Sequence, residues 1–175
     1  MERLSSNSME EVYVRGIGMT KFGKFLDLSM KDMARESVED VLADAEMESK
    51  DIQAIFFANS LAGLITGQEC IRGEVVTYPL GFGTIPIHNV ENACASGGNA
   101  LHLAWMAVAS GMCDTAMALG VEKANHIDKS VTFSAYRSGT DVEEMFATGS
   151  GSGIDRTPLV DRQAALAKEL MSEKG

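Results

Sequence analysis

Ile85-Pro86-Ile87-His88-Asn89-Val90-Glu91-Asn92-Ala93-Cys94-Ala95-Ser96-Gly97-Gly98-Asn99 is the stretch whose reading decides the fold. Ile85–Glu91 predicts a strand, with Pro86 at its beginning, where a missing N–H is tolerated. Small residues then open a long apolar run. A cysteine sits where the strand gives way to the helix. Unpaired N–H groups and the positive end of a helix dipole favour negative charge, so Cys94 occupies a favourable place for a thiolate. The competing reading is an inert cysteine packed before a helix.

Downstream, Ala95–Ala109 is apolar on nearly every side, with Leu101, Leu103, Trp105, Met106 and Val108 among its residues. That pattern predicts a helix buried all round, stopped by Gly111. Asp114–Val121 predicts another strand. Upstream, Ile52–Phe57 predicts a strand, followed by a turn at Ala58-Asn59-Ser60. Gly67–Val76 predicts a short helix ended by Tyr78-Pro79, and Gly81-Phe82-Gly83 a loop. Val12–Gly18 has the β-branched and aromatic content of a first strand, and Met19–Leu28 reads as a connector. Ser29 with Asp32 three residues later is a capping-box signal. In the helix it opens, Met30, Met33, Ala34, Ser37, Val38, Val41, Leu42 and Ala45 share one face.

Strands alternating with helices predict an α/β fold of βαβαβαβ type, a mixed, parallel-rich sheet with right-handed crossovers and a buried central helix. Beyond Lys123 the periodicity fades. Ala124–Gly153 is rich in Ser, Thr, Gly and charge, with Thr148–Gly153 reading as a flexible loop, and Pro158–Glu173 predicts a last helix. Ser150-Gly151-Ser152-Gly153 lacks the Lys-Ser/Thr of a nucleotide loop.

The chain has 175 residues, Lys+Arg 15 against Asp+Glu 25, and a net charge of −10. An acidic chain without a basic run does not suit nucleic-acid binding. No apolar run reaches the roughly 20 residues of a membrane span. Residues 1–10 lack the hydrophobic core of a secretory signal and read as a loose tail. Cys70, Cys94 and Cys113 form no metal-ligand spacing, so we expect no structural metal and a reducing, cytoplasmic setting.

Val90-Glu91-Asn92-Ala93-Cys94-Ala95-Ser96-Gly97-Gly98 resembles the nucleophile segment of the thiolase superfamily, closest to the sterol-carrier-protein-type and archaeal-type acyl-CoA thiolases. Tyr13–Gly23 resembles that family's opening strand and turn. Gly67–Gly73 resembles the helix before the nucleophile strand, and Ala118–Lys123 the strand after the nucleophile helix. Thr157-Pro158-Leu159 leading into Asp161–Gly175 resembles a helix of the loop domain that covers the CoA pocket. The resemblance therefore implies a thiolase N-terminal half over 11–124 and a partial CoA-covering subdomain over 125–175.

It also implies a chemistry. Cys94 would take an acyl group from acyl-CoA, and the thioester would split one difficult carbon–carbon step into two easier ones. Asn92, Ala95, Ser96 and Gly97 would position the acyl group and its oxyanion, and Glu91 and Asn92 would pin the turn. Ser96, Gly97 and Gly98 would keep the helix start open to a pantetheine thioester, although close packing of a buried helix also needs small residues. Coenzyme A enters as substrate, with no resident cofactor and no assigned CoA contacts. Lys129, Arg137 and Arg156 are candidates for contacts to the CoA phosphates, and a solvated loop face explains them at least as well.

The second half of a thiolase carries a Gly-His-Pro histidine, a cysteine in Cys-x-Gly and an Asn or His that positions water. None of these motifs occurs in the 175 residues. His88 reads as a packing or subunit-contact residue, His102 as a hydrogen-bonded core residue and His126 as a surface residue. Cys70 and Cys113 read as packing residues. The resemblance thus implies a truncated product, or one subunit of a split thiolase whose partner chain brings the base and second cysteine. Homo-oligomers are expected as well, and a small zinc-ribbon/OB-fold protein is a further partner implied by the archaeal-type relatives. A thiolase-like retro-aldol lyase subunit and a non-catalytic CoA-binding scaffold stay open.

Overall fold

The computed structural model describes residues 11–148 and 157–174. The expectations for the tail 1–10 and for most of Thr148–Gly153 lie outside the described residues.

The first element forms as its cap signal requires. Ser29 accepts from the Asp32 N–H at 3.1 Å, and the Asp32 carboxylate accepts from the Ser29 N–H at 2.8 Å. This box opens α1, Met30–Ala45, which ends at left-handed Glu46. Strand β1 is Ala54–Ala58, buried at every position. Helices α2, Ala62–Thr66, and α3, Arg72–Thr77, follow it. Strand β2 is Ile87–Val90, α4 is Ser96–Ala109 and β3 is Ala116–Gly120. Beyond lie α5, Lys129–Tyr136, α6, Val142–Thr148, and α7, Pro158–Lys174.

The three strands form a parallel sheet in the order β2-β1-β3, with Phe56 opposite His88 on one side and Ala118 on the other. Alternation along β1 sorts its side chains to two faces. Ile55 and Phe57 join Met117 and Leu119 under α1 and α3, where Ala34, Val38 and Val76 pack. Ala54, Phe56 and Ala58 meet Ala100, Ala104 and Ala107 of α4 on the other face. The α/β class and layering are as expected.

Several expectations are corrected. Val12–Gly18 is not a strand: it has no strand beside it to supply a ladder. It lies along α1 instead, with the Ile17 N–H donating to Asp44 Oδ2 at 2.8 Å and Arg15 Nε to the Ala45 carbonyl at 3.3 Å. A Cβ at Gly18 would strike Ser37 O and Val41 N, so glycine allows this close approach. The sheet is consequently three-stranded and wholly parallel among the described residues. The helix expected over Gly67–Val76 starts only at Arg72, because Gly67 and Ile71 are both left-handed, at φ 83° and 49°. Two helices occupy the stretch read as aperiodic. Asp128 caps α5 through the Ser130 N–H at 2.9 Å, and Asp141 accepts from the Glu144 N–H at 3.0 Å at the start of α6. Helix α4 is buried on one face only, since nothing in the described chain covers the other.

Gly73 is where α3 meets the sheet. A Cβ there would lie 2.8 Å from Phe57 Cβ and 2.9 Å from Ile87 Cγ2. Gly73→Ala is expected to destabilise the fold by about 1–3 kcal/mol through overpacking. A chemical-denaturation midpoint equal to wild type would contradict that contact.

Candidate active site

Strand β2 ends at Val90, and the chain must turn into α4 on the α4 side of the sheet. It does so in five residues, 91–95. Asn92 has φ −156° and ψ 52°, Ala93 has φ 45°, and Ala93–Ala95 form a 3-10 turn before α4 begins at Ser96. A left-handed alanine costs about 1–2 kcal/mol, so the elbow must be held from outside. Two side chains hold it. Glu91 Oε1 accepts from the Ala93 N–H at 2.6 Å. Buried Ser96 accepts from the Asn92 N–H at 2.8 Å and donates to the Ala93 carbonyl at 2.7 Å.

Cys94 sits at the centre of this elbow and is exposed. The residues expected to position an acyl group fall around it in different ways. Asn92 contributes backbone: its carbonyl accepts from the Ala95 N–H at 2.9 Å. The Ala95 N–H is thereby engaged within the turn. Gly97 and Gly98 face open space, because a Cβ on either meets nothing within 4 Å. Their small size is therefore not used for packing among the described residues. Replacing Ser96 with alanine strands the Asn92 N–H. We expect Ser96→Ala to cost about 1–3 kcal/mol and to change the Cys94 alkylation rate. Ser110→Ala, which removes a 3.1 Å bond to the Ala107 carbonyl at the far end of α4, is the control.

The histidines lie elsewhere. His88 stacks on Phe56 with ring centroids 4.9 Å apart. His102, expected in the core, is exposed and stacks on Trp105 at 5.7 Å, because it projects from the uncovered side of α4. His126 Nδ1 accepts from the Asp128 N–H at 3.0 Å. Among the described residues none is hydrogen-bonded to Cys94.

A polar cluster missed by the sequence reading secures the neighbouring strand end. Asn59, buried just past β1, donates through Nδ2 to the Val121 carbonyl at 2.7 Å and accepts from Arg72 Nη1 at 2.9 Å. The Glu122 carboxylate accepts from the Ser60 and Leu61 N–H groups, each at 2.9 Å. The one available signal was an asparagine directly after a fully apolar strand. On the same α3 side of the sheet, Asn89 accepts from the Gly73 N–H at 2.7 Å and donates to Glu74 at 2.7 Å, tying β2 to α3.

The chain is thus a layered α/β fold whose parallel sheet leads, through a turn with left-handed Ala93, past an exposed cysteine into a helix. The family model of the thiolase N-terminal domain matches residues 12–154, and the chain belongs to the thiolase family. An acetyl-CoA acetyltransferase of Methanothermobacter thermautotrophicus is 44% identical over 115 residues, 66% of this chain and 30% of that protein. Benzoylsuccinyl-CoA thiolase subunit BbsB of Thauera aromatica is 35% identical over 118 residues, 66% of this chain and 28% of that one. The chain thus spans about a third or less of the relatives' length. Among solved structures, an OleA variant of Xanthomonas campestris superposes with a TM-score of 0.50 at 20% identity, covering 71% of this chain and 37% of that one, a likeness of fold. No described helix is long and apolar enough to cross a membrane.

Proposed function

We propose that this chain is the nucleophile-bearing half of an acyl-CoA thiolase. The observation that carries the reading is the exposed Cys94 on the Ala93 elbow, in a chain of thiolase-family sequence. The Cys94 thiolate attacks the carbonyl of an acyl-CoA, a carbon–sulfur bond forms, and CoA leaves as its thiolate and takes up a proton. The α-carbanion of a second acyl-CoA then attacks the thioester and releases Cys94. Cleavage of a 3-oxoacyl-CoA runs these steps in reverse. Splitting the reaction at a thioester is what the thiol contributes.

A helix N-terminus stabilises a nearby anion by only about 0.3–1 kcal/mol at an exposed site. Proton removal therefore needs a base, and in this reading a partner chain supplies a histidine, together with the second cysteine. A small zinc-ribbon/OB-fold protein is a further expected partner, and the cytoplasm the expected compartment. The test is acetoacetyl-CoA cleavage by the purified chain alone and with a thiolase C-terminal half. Turnover only in the mixture supports the reading. Robust turnover by the chain alone sinks the split-site part of it.

A further inference from the structure

A cavity of about 620 Å³ opens on the α1/α3 face of the sheet, across the sheet from α4. It lies at the carboxyl ends of β1 and β3, beside the segments 62–68 and 123–126 that follow them. Open α/β sheets take ligands at that edge. Its charge runs against the composition of the chain. Acids outnumber bases 25 to 15 overall, yet among the described residues no Asp or Glu lines the cavity, while Lys31, Arg72, Lys123 and His126 do.

The three cations are not neutralised. None of the three is in an ion pair among the described residues, where Lys50 pairs with Glu48 on the surface. Arg72 Nη1 donates instead to Asn59 Oδ1 at 2.9 Å and to the Ser60 carbonyl at 3.0 Å. Lys123 Nζ donates to the carbonyls of Leu26 and Leu28. Neutral oxygens thus aim these half-buried cations without cancelling their charge. Two of the acids nearby are engaged: Asp32, which feels the Lys123 charge, accepts from Ser29, and Glu122 accepts from the loop amides of Ser60 and Leu61. A third, Glu69, lies with its carboxylate against Gly63 and is not among the lining residues. Cations gathered in a cleft focus a positive potential there. Ile65 and Val75 add apolar wall.

We propose that this cavity binds the phosphoryl or diphosphoryl group of a small ligand, with Lys31, Arg72 and Lys123 around its oxygens and the apolar wall against its body. The site is separate from the Cys94 elbow and does not depend on the acyl-transfer reading. The phosphate has two sources, coenzyme A itself or a distinct phosphorylated metabolite.

The probe is inorganic pyrophosphate titrated into the ¹⁵N-labelled full chain. Shifts are expected in residues 29–31, 65–72 and 123–126. Lys31→Glu, on an exposed side chain, should weaken binding about tenfold or more, as should Lys123→Gln. Lys50→Glu, of equal charge change to Lys31→Glu, should leave binding intact. Competition by CoA assigns the phosphate to CoA, and additivity assigns it to a separate ligand; both support the site. No saturable shift in those residues, or Lys31→Glu binding like wild type while folded by circular dichroism, overturns it.

Discussion

Cys94→Ala is expected to lower turnover of the complemented thiolase by about 10⁴–10⁶-fold and to abolish transfer of a labelled acyl group from acyl-CoA to this chain. Nothing else in the elbow can replace the sulfur as nucleophile. The fold should be unaffected, because Cys94 is exposed and surface substitutions of this kind change stability by about 0.5 kcal/mol or less. Retained stability with lost acylation would assign the loss to chemistry. The other two cysteines serve as internal controls. Cys70 is also exposed, but it lies outside the elbow, so Cys70→Ala should acylate like wild type. The Cys113 thiol is pushed above its ordinary range, first by burial and then by the Asp114 charge. Alkylation needs the thiolate, so Cys113 should react slowly at neutral pH and accelerate only at a pH above that of an ordinary thiol. Acyl label retained in Cys94→Ala would show that another residue carries the nucleophile.

What the sequence disclosed follows the range of the forces involved. The Ser29–Asp32 box, the apolar face of α1 and the strand at β1 are set by residues a few positions apart, and each was legible. The place of Cys94 between strand and helix was legible for the same reason. The device that holds it was only half so. Glu91 was anticipated as a brace. The left-handed Ala93 was not, because alanine carries no mark of that conformation and is forced into it by Glu91 and Ser96. The Val12–Gly18 segment failed differently. Its side chains have strand character, but a strand exists only beside another, and Gly16 and Gly18 let the segment lie on α1 instead. The Asn59–Arg72–Glu122 cluster joins residues up to 63 positions apart, a separation no local pattern reports. Asp128 and Asp141 were readable caps that the low periodicity around them obscured.

The uncovered side of α4 leads to the other large expected effect. Ala100, Ala104 and Ala107 face the sheet, while Leu101, Trp105 and Met106 remain 58%, 38% and 47% exposed. A continuous apolar strip of this kind on one helix is costly in water and marks a surface that associates. The isolated chain should therefore run as an oligomer in size exclusion with light scattering, and as a heteromer once the complementing half is present. Isologous pairing would bring the two α4 helices together about a twofold axis, His102 and Trp105 meeting their own copies. Trp105→Asp buries a charge in any such contact, and loss of a central aromatic anchor costs about 2 kcal/mol or more. That is about thirtyfold in the dissociation constant, enough to yield monomer at micromolar concentration. Because Trp105 faces away from the sheet, the variant should keep its helical circular dichroism. A wild-type chain that is monomeric across that concentration range, or a Trp105→Asp chain that assembles as wild type does, would remove α4 from the interface. It would leave the strip exposed for a reason other than assembly.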